Sequence, residues 1–101
     1  MPTDYENIRI VTYSGPASVR GRIISGTLFD GERIRVGVDR RAGMWTFTDL
    51  ESGGLISAFE DFDVQIAIQK FHLDLVGIDT AQLQAARVRL FQEMGGIEET
   101  D

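Results

Sequence analysis

Apolar and polar residues alternate along the first sixty positions of this chain, and then the period changes. Asn7 to Tyr13 sets Ile8 and Ile10 against Arg9 and Val11, and Ser14-Gly15-Pro16 closes that run as a turn. A second strand is expected from Val19 to Phe29. Asp30-Gly31, which follows it, has the composition of a two-residue turn with positive φ at both positions. With Phe29 opposite Glu32, the pairs Thr27/Ile34, Ser25/Val36 and Ile23/Val38 share the expected core face, and Leu28/Arg33, Gly26/Arg35, Ile24/Gly37 and Arg22/Asp39 share the other. Arg40-Arg41-Ala42-Gly43 reads as a four-residue loop that sets Val38 opposite Trp45 and Val36 opposite Phe47. Glu51-Ser52-Gly53-Gly54 is the next turn, and Leu55 to Phe59 a short strand with Ile56 and Ala58 on the face of Phe47. Tight turns favour antiparallel neighbours, so these runs predict a meander of about five strands.

Near residue 60 the period becomes 3.6. A first helix is expected from about Asp61 to Val76, with Val64, Ala67, Ile68, Phe71 and Leu75 on one stripe and Phe62, Ile66 and Leu73 almost opposite. Two opposed apolar faces imply a sandwiched helix: the sheet covers one, and a second helix or a second subunit covers the other. The second helix starts at Asp79 or Thr80, where Asp79 and Gln82 have capping-box spacing. Its stripe is Leu83, Ala86, Leu90 and Met94, flanked by Phe91, and Gly95-Gly96 ends it. The pattern therefore predicts an α+β fold, an antiparallel meander followed by two C-terminal helices packed on one face of the sheet. Residues 1–96 form a single domain, and 97–101 an acidic, frayed tail.

The 101 residues are enough for one core and too few for two. Hydrophobic residues make up 43% and charged residues 26%, which places the chain among globular rather than disordered proteins. With no cysteine, a disulfide framework, a thiolate nucleophile and a sulfur-ligated zinc site are excluded. Acids before the first apolar run, and the lack of any apolar run long enough to span a bilayer, point to a cytoplasmic protein with no membrane contact. The net charge of -6 is uneven: residues 1–50 hold seven arginines against six acids, whereas 51–101 hold Lys70, Arg87 and Arg89 against ten acids.

Candidate chemistry is sparse. His72 is the only histidine and falls on a flank of the first helix, without a nucleophile elbow anywhere in the chain. Glu60, Asp61 and Asp63 stand where a helix begins, and the helix dipole accounts for them without a metal, since no calcium-loop spacing surrounds them. Gly53-Gly54 lacks the lysine and spacing of a phosphate loop and reads as turn chemistry. No catalytic residue, metal or cofactor is assigned, and the chain is not expected to be an enzyme.

Two charged sets carry the remaining readings. Arg33 and Arg35 share the face opposite the expected core, Arg22 joins them in the derived register, and Arg9 and Arg20 extend the set if the first strand lies beside the second; an arginine-lined sheet can hold nucleic acid or a nucleotide. The alternative account of these arginines is a solvated face with salt bridges such as Arg22 to Asp39. Asp63, Asp74 and Glu93, with the acidic tail, can instead present negative charge to a basic groove of a protein. The Trp45-Thr46-Phe47-Thr48 strand, the Ser52-Gly53-Gly54 turn and the helix after them resemble small sheet-plus-helix modules of mobile elements, over about a third of the chain. The sequence thus points to a non-catalytic accessory or inhibitor protein of a phage or mobile element, of the anti-defence type, that binds a host protein and forms a homodimer. The alternative is a nucleic-acid or nucleotide-binding module using the arginine face.

Overall fold

A computed structural model describes residues 5–12 and 14–93, with the side chain of Glu93 outside the described set. Five strands, β1 (Tyr5–Thr12), β2 (Gly15–Thr27), β3 (Arg33–Arg41), β4 (Met44–Asp49) and β5 (Leu55–Phe59), pair antiparallel in chain order. Two helices follow, α1 (Val64–Leu75) and α2 (Thr80–Glu93). The expected α+β meander with two C-terminal helices on the sheet is the observed architecture. The predicted stop at Gly95-Gly96 and the acidic tail lie outside the described residues.

The core lies between the sheet and α1. Leu28, Ile34, Val36, Val38 and Phe47 meet Ala67, Phe71 and Leu75 there, and Leu83 of α2 reaches its margin. The rings of Phe47 and Phe71 stack at 4.4 Å, and Phe59 meets Phe47 edge-on at 5.8 Å. Stacked and edge-on pairs of this kind add about 0.5–1.5 kcal/mol each beyond the area they bury. Phe71 is the inward position of a helix whose N-cap, Asp63, accepts from Gln65 N at 2.9 Å. That cap starts α1 three residues later than the apolar pattern suggested.

The register of β2 differs from the expectation by one residue. Gly26 pairs with Ile34 and Ile24 with Val36, so Leu28 and Ile24 face the core in place of Thr27, Ser25 and Ile23. The cause is the turn: Gly31 N donates to Leu28 O and Leu28 N to Glu32 O, which makes a three-residue loop with Gly31 at φ +89°. The loop is held in this form from outside, because Phe29 N donates to Ile78 O between the helices. Between β3 and β4 the loop is shorter than expected, a two-residue turn at Ala42-Gly43 with Ala42 at φ 52°. Val38 therefore faces Phe47, and Trp45 faces Arg40. In β5 an irregularity at Phe47/Thr48 sets Ser57 opposite Phe47, moving Ala58 to the other face while Ile56 still packs on the core.

The face away from the helices is not open. The sheet coils until Val11 N donates to Gly53 O in the β4–β5 turn, and Ile8 and Ile10 are buried beneath it. Ile8 lies where side chains on Gly21 and Gly37 would be: a Cβ at either position would come within 2.5 Å of its Cδ1. Glycine at these two strand positions is what lets β1 curl over β3. In the same interior Asp39 pairs with Arg41 at 2.8 Å and Thr46 donates to it at 2.9 Å. The Arg22 to Asp39 bridge does not form.

Candidate functional site

The arginines do not form one surface. Arg22 pairs with Val38 and so falls on the helix-bearing face, a consequence of the one-residue register difference. Tyr5, Asn7 and Arg9 pair with Arg22, Arg20 and Ser18, which puts Arg9, Arg20 and Arg22 on one side of the β1–β2 ribbon. Arg33 and Arg35 pair with Thr27 and Ser25 on the opposite face, both exposed. The five residues are split three and two.

Of the acidic candidates, Asp63 and Asp74 lie beside and on α1 with structural partners, and Glu93 lies on α2. Asp63 is the N-cap, and Asp74 accepts from Ser57 Oγ at 3.2 Å. Asp61 pairs with Lys70 at 3.1 Å, and Glu60 is exposed. Glu93 ends α2, its side chain outside the described set. His72 is exposed on α1, its ring 5.9 Å from Phe71. Gly53 takes φ +78° in a turn organised by Asp49 and Ser52, as turn chemistry requires. Among the described residues no cluster of three or more His, Cys, Asp or Glu is arranged to hold a metal, and no helix is long and apolar enough to cross a membrane.

A buried ion pair attaches α2 to the sheet. Arg87 Nε donates to Asp49 Oδ2 at 2.7 Å and Nη2 to Oδ1 at 2.9 Å, with side-chain exposures of 14% and 3%. Burial pushes the Asp49 carboxyl up, but the hydrogen bonds from Arg87 and Ser52 and the charge of Arg87 outweigh it and hold it below the usual carboxylate value. The same contact raises Arg87. Of the rest of α2, Leu83 is buried and Leu90 half-buried, while Ala86, expected on its stripe, is exposed. Clefts of about 420 and 330 Å³ flank the helix, and Leu83, Asp49 and Arg87 line both. The second is the more apolar, running between α2 and β5 past Leu55, Ile56 and Ile78. At the head of the helix Asp79 and Gln82 form the expected capping box, and Asp30 of the β2–β3 loop accepts from Thr80 N and Oγ1. The Thr80 hydroxyl holds the Asp30 carboxyl below its usual value.

Neither α2 nor any other described element covers the outer face of α1. Phe62 is 95% exposed, Leu73 72%, Val76 54% and Ile66 44%. With Gln69, the positions Ile66, Leu73 and Val76 step by three, four and three residues, so α1 presents a largely apolar line opposite its buried stripe, whereas Phe62 precedes the extended N-cap Asp63 and stands outside the helix. The segment leading into it is pinned. Trp45 Nε1 donates to Phe62 O at 3.4 Å, Arg40 Nη1 donates to Asp61 O at 3.1 Å, and the Arg40 guanidinium lies 5.1 Å from the Trp45 ring centre. The Phe62 backbone is thus tied to the β3–β4 hairpin while its ring stands in solvent.

Sequence reasoning placed Ile66 and Leu73 correctly on a face opposite the core stripe, and of the two covers it allowed, a second helix or a second subunit, α2 does not supply one. It missed the Asp49–Arg87 pair, although a signal existed: Arg87 sits four residues after Leu83 and three before Leu90, a charge on the inward line of α2. Nothing in the local pattern marked Asp49 as its partner. No protein-family model matches this chain, and no curated protein or solved structure is significantly similar to it.

Proposed function

We propose that this chain is a non-catalytic protein-binding module, an accessory or inhibitor that acts by docking the outer face of α1 onto another protein. The observation that carries this reading is Phe62, an aromatic side chain 95% exposed on a backbone held by Trp45 and Arg40. A tethered backbone lowers the cost of ordering this segment on binding, and aromatic residues dominate the energetics of interfaces. Ile66 and Leu73, seven residues apart on the exposed side of α1, extend the contact, as in recognition of one helix face by a groove.

The test is a Phe62→Ser, Leu73→Ser double variant. Both residues contribute little to the core, so its urea midpoint should stay within about 0.5 kcal/mol of the parent. Tagged and expressed in the cells that encode it, the variant should lose the protein partner that the parent retains after nuclease treatment. A partner held equally by both forms rejects the α1 surface.

A second reading rests on Arg33 and Arg35, exposed together and without an ion pair among the described residues. It predicts salt-sensitive binding of nucleic acid or a nucleotide that weakens in an Arg33→Ala, Arg35→Ala variant. Two arginines on a chain of net charge -6 supply a weak electrostatic footprint, which makes this the lesser reading.

A further inference from the structure

Resting on the α1 reading, we infer that the partner is a different protein whose apolar groove, rimmed by lysine or arginine, takes α1 as a single helix; a second copy of this chain is not the occupant. The outer line of α1 from Ile66 to Val76 is about 15 Å long at 1.5 Å per residue, and a helix is about 10 Å across. Two such convex faces meeting along one line would bury about 150 Å² each in projection, and about twice that as accessible surface. A stable interface needs about 800 Å² per partner. Pairing of α1 with α1 falls short, whereas a groove that wraps the helix reaches its flanks as well.

The flanks decide the chemistry. Glu60, Asp61, Asp63 and Asp74 lie on or just before α1, against two cations that are already engaged: Lys70, paired with Asp61, and Arg40, which donates to Asp61 O. In an antiparallel pair of copies the two-fold axis passes near Gln69, so Asp63 of one chain lies beside Asp74 of the other, twice. In a parallel pair the two segments 60–63 meet at one end and bring six carboxylates together. Either arrangement sets like charges side by side at the margin of an apolar contact, which costs binding energy and slows encounter. A basic rim turns the same charges into attraction and steers the approach.

The probe is the species cross-linked by a photoreactive amino acid replacing Gln69, then purified. The expected result is a heterologous protein cross-linked through apolar residues with lysine or arginine around them. Its binding should weaken about tenfold at low salt, and lose most of its salt dependence, in an Asp63→Asn, Asp74→Asn variant. Asparagine keeps the cap at position 63 and an oxygen for Ser57, so the fold is conserved while two charges are removed. Affinity unchanged in that variant overturns the basic rim but leaves the α1 surface standing. Cross-links to a second copy overturn the inference in favour of self-association. If Gln69 cross-links to nothing, the surface itself fails, and the double serine variant then retains its partner.

Discussion

Replacing Arg87 by methionine should release α2 without unfolding the sheet. The change removes two short hydrogen bonds to Asp49 and leaves a carboxylate whose side chain is 3% exposed. Breaking a buried pair by removing one member costs about 3–5 kcal/mol. Asp49 keeps Ser52 Oγ at 2.8 Å and Glu51 N at 3.3 Å, so the lower end applies, about 3 kcal/mol. The outer bridge from Arg87 to Glu51, at 3.3 Å with Glu51 70% exposed, adds less than about 1 kcal/mol. Against this, the main apolar anchor of α2 is Leu83, and burying one leucine contributes about 1.5–3 kcal/mol. The lost pair is comparable to the burial of that main anchor, so α2 should open locally before β3 and β4 do.

Hydrogen exchange read residue by residue separates the two outcomes. In Arg87→Met the amides of residues 84–92 should lose nearly all protection while those of Val36, Val38 and Phe47 retain most of theirs. An Asp49→Leu, Arg87→Met double variant should recover stability relative to the single one, since it removes the stranded charge. Acid should reproduce the effect in the parent. The Asp49 carboxyl is lowered in the folded chain, so its contribution is full above the unfolded value near 4 and disappears as pH falls through the folded value. The difference between parent and Arg87→Met should therefore be constant at neutral pH and shrink below about pH 4. Unchanged exchange in residues 84–92, with a stability within about 0.5 kcal/mol of the parent, would refute the assignment of Arg87 as the anchor.

Two further substitutions test the fold around that site. Gly37→Ala places a Cβ against Ile8 Cδ1, Cγ2 and Cγ1 and should cost about 1–3 kcal/mol in urea unfolding; adding Ile8→Ala should cost less than the sum of the two single changes, and strict additivity would deny the contact. Asp79→Ala removes the acceptor for Gln82 N and should destabilise by about 1 kcal/mol, with the loss of protection concentrated in the first turn of α2, whereas uniform loss across the sheet would point elsewhere.

Much of this architecture is written in local pattern. The period-two runs, the turn residues and the capping box at Asp79 each specify a feature through residues within a few positions of one another. What local pattern does not carry is the choice between two registers one residue apart. Asp-Gly favours a two-residue turn on its own, but the loop is also bonded at Phe29 to Ile78 and at Asp30 to Thr80, partners about fifty positions away. Those bonds favour the three-residue loop and bring Leu28 inward, which turned Arg22 away from Arg33 and Arg35. The arginine surface depended on that register, and it was lost with it.

The α1 surface is a different case, because its apolar line was visible on a helical wheel, and of the two covers that the wheel left open α2 does not supply one. A wheel states which face is apolar but not how much apolar surface the neighbouring helix can offer. Leu83 and Leu90 of α2 are drawn to the β4–β5 turn by the Asp49–Arg87 pair, which holds the helix over the other end of the sheet and leaves Phe62, Ile66 and Leu73 to solvent. Had α2 folded back on α1, both hydrogen bonds between Arg87 and Asp49 would have been lost. The buried pair that attaches α2 is thus also what keeps the docking face of α1 open. On this reasoning Arg87→Met should weaken partner binding as well, by letting α2 reach the line it otherwise leaves exposed, although Arg87 is nowhere near Phe62 in sequence.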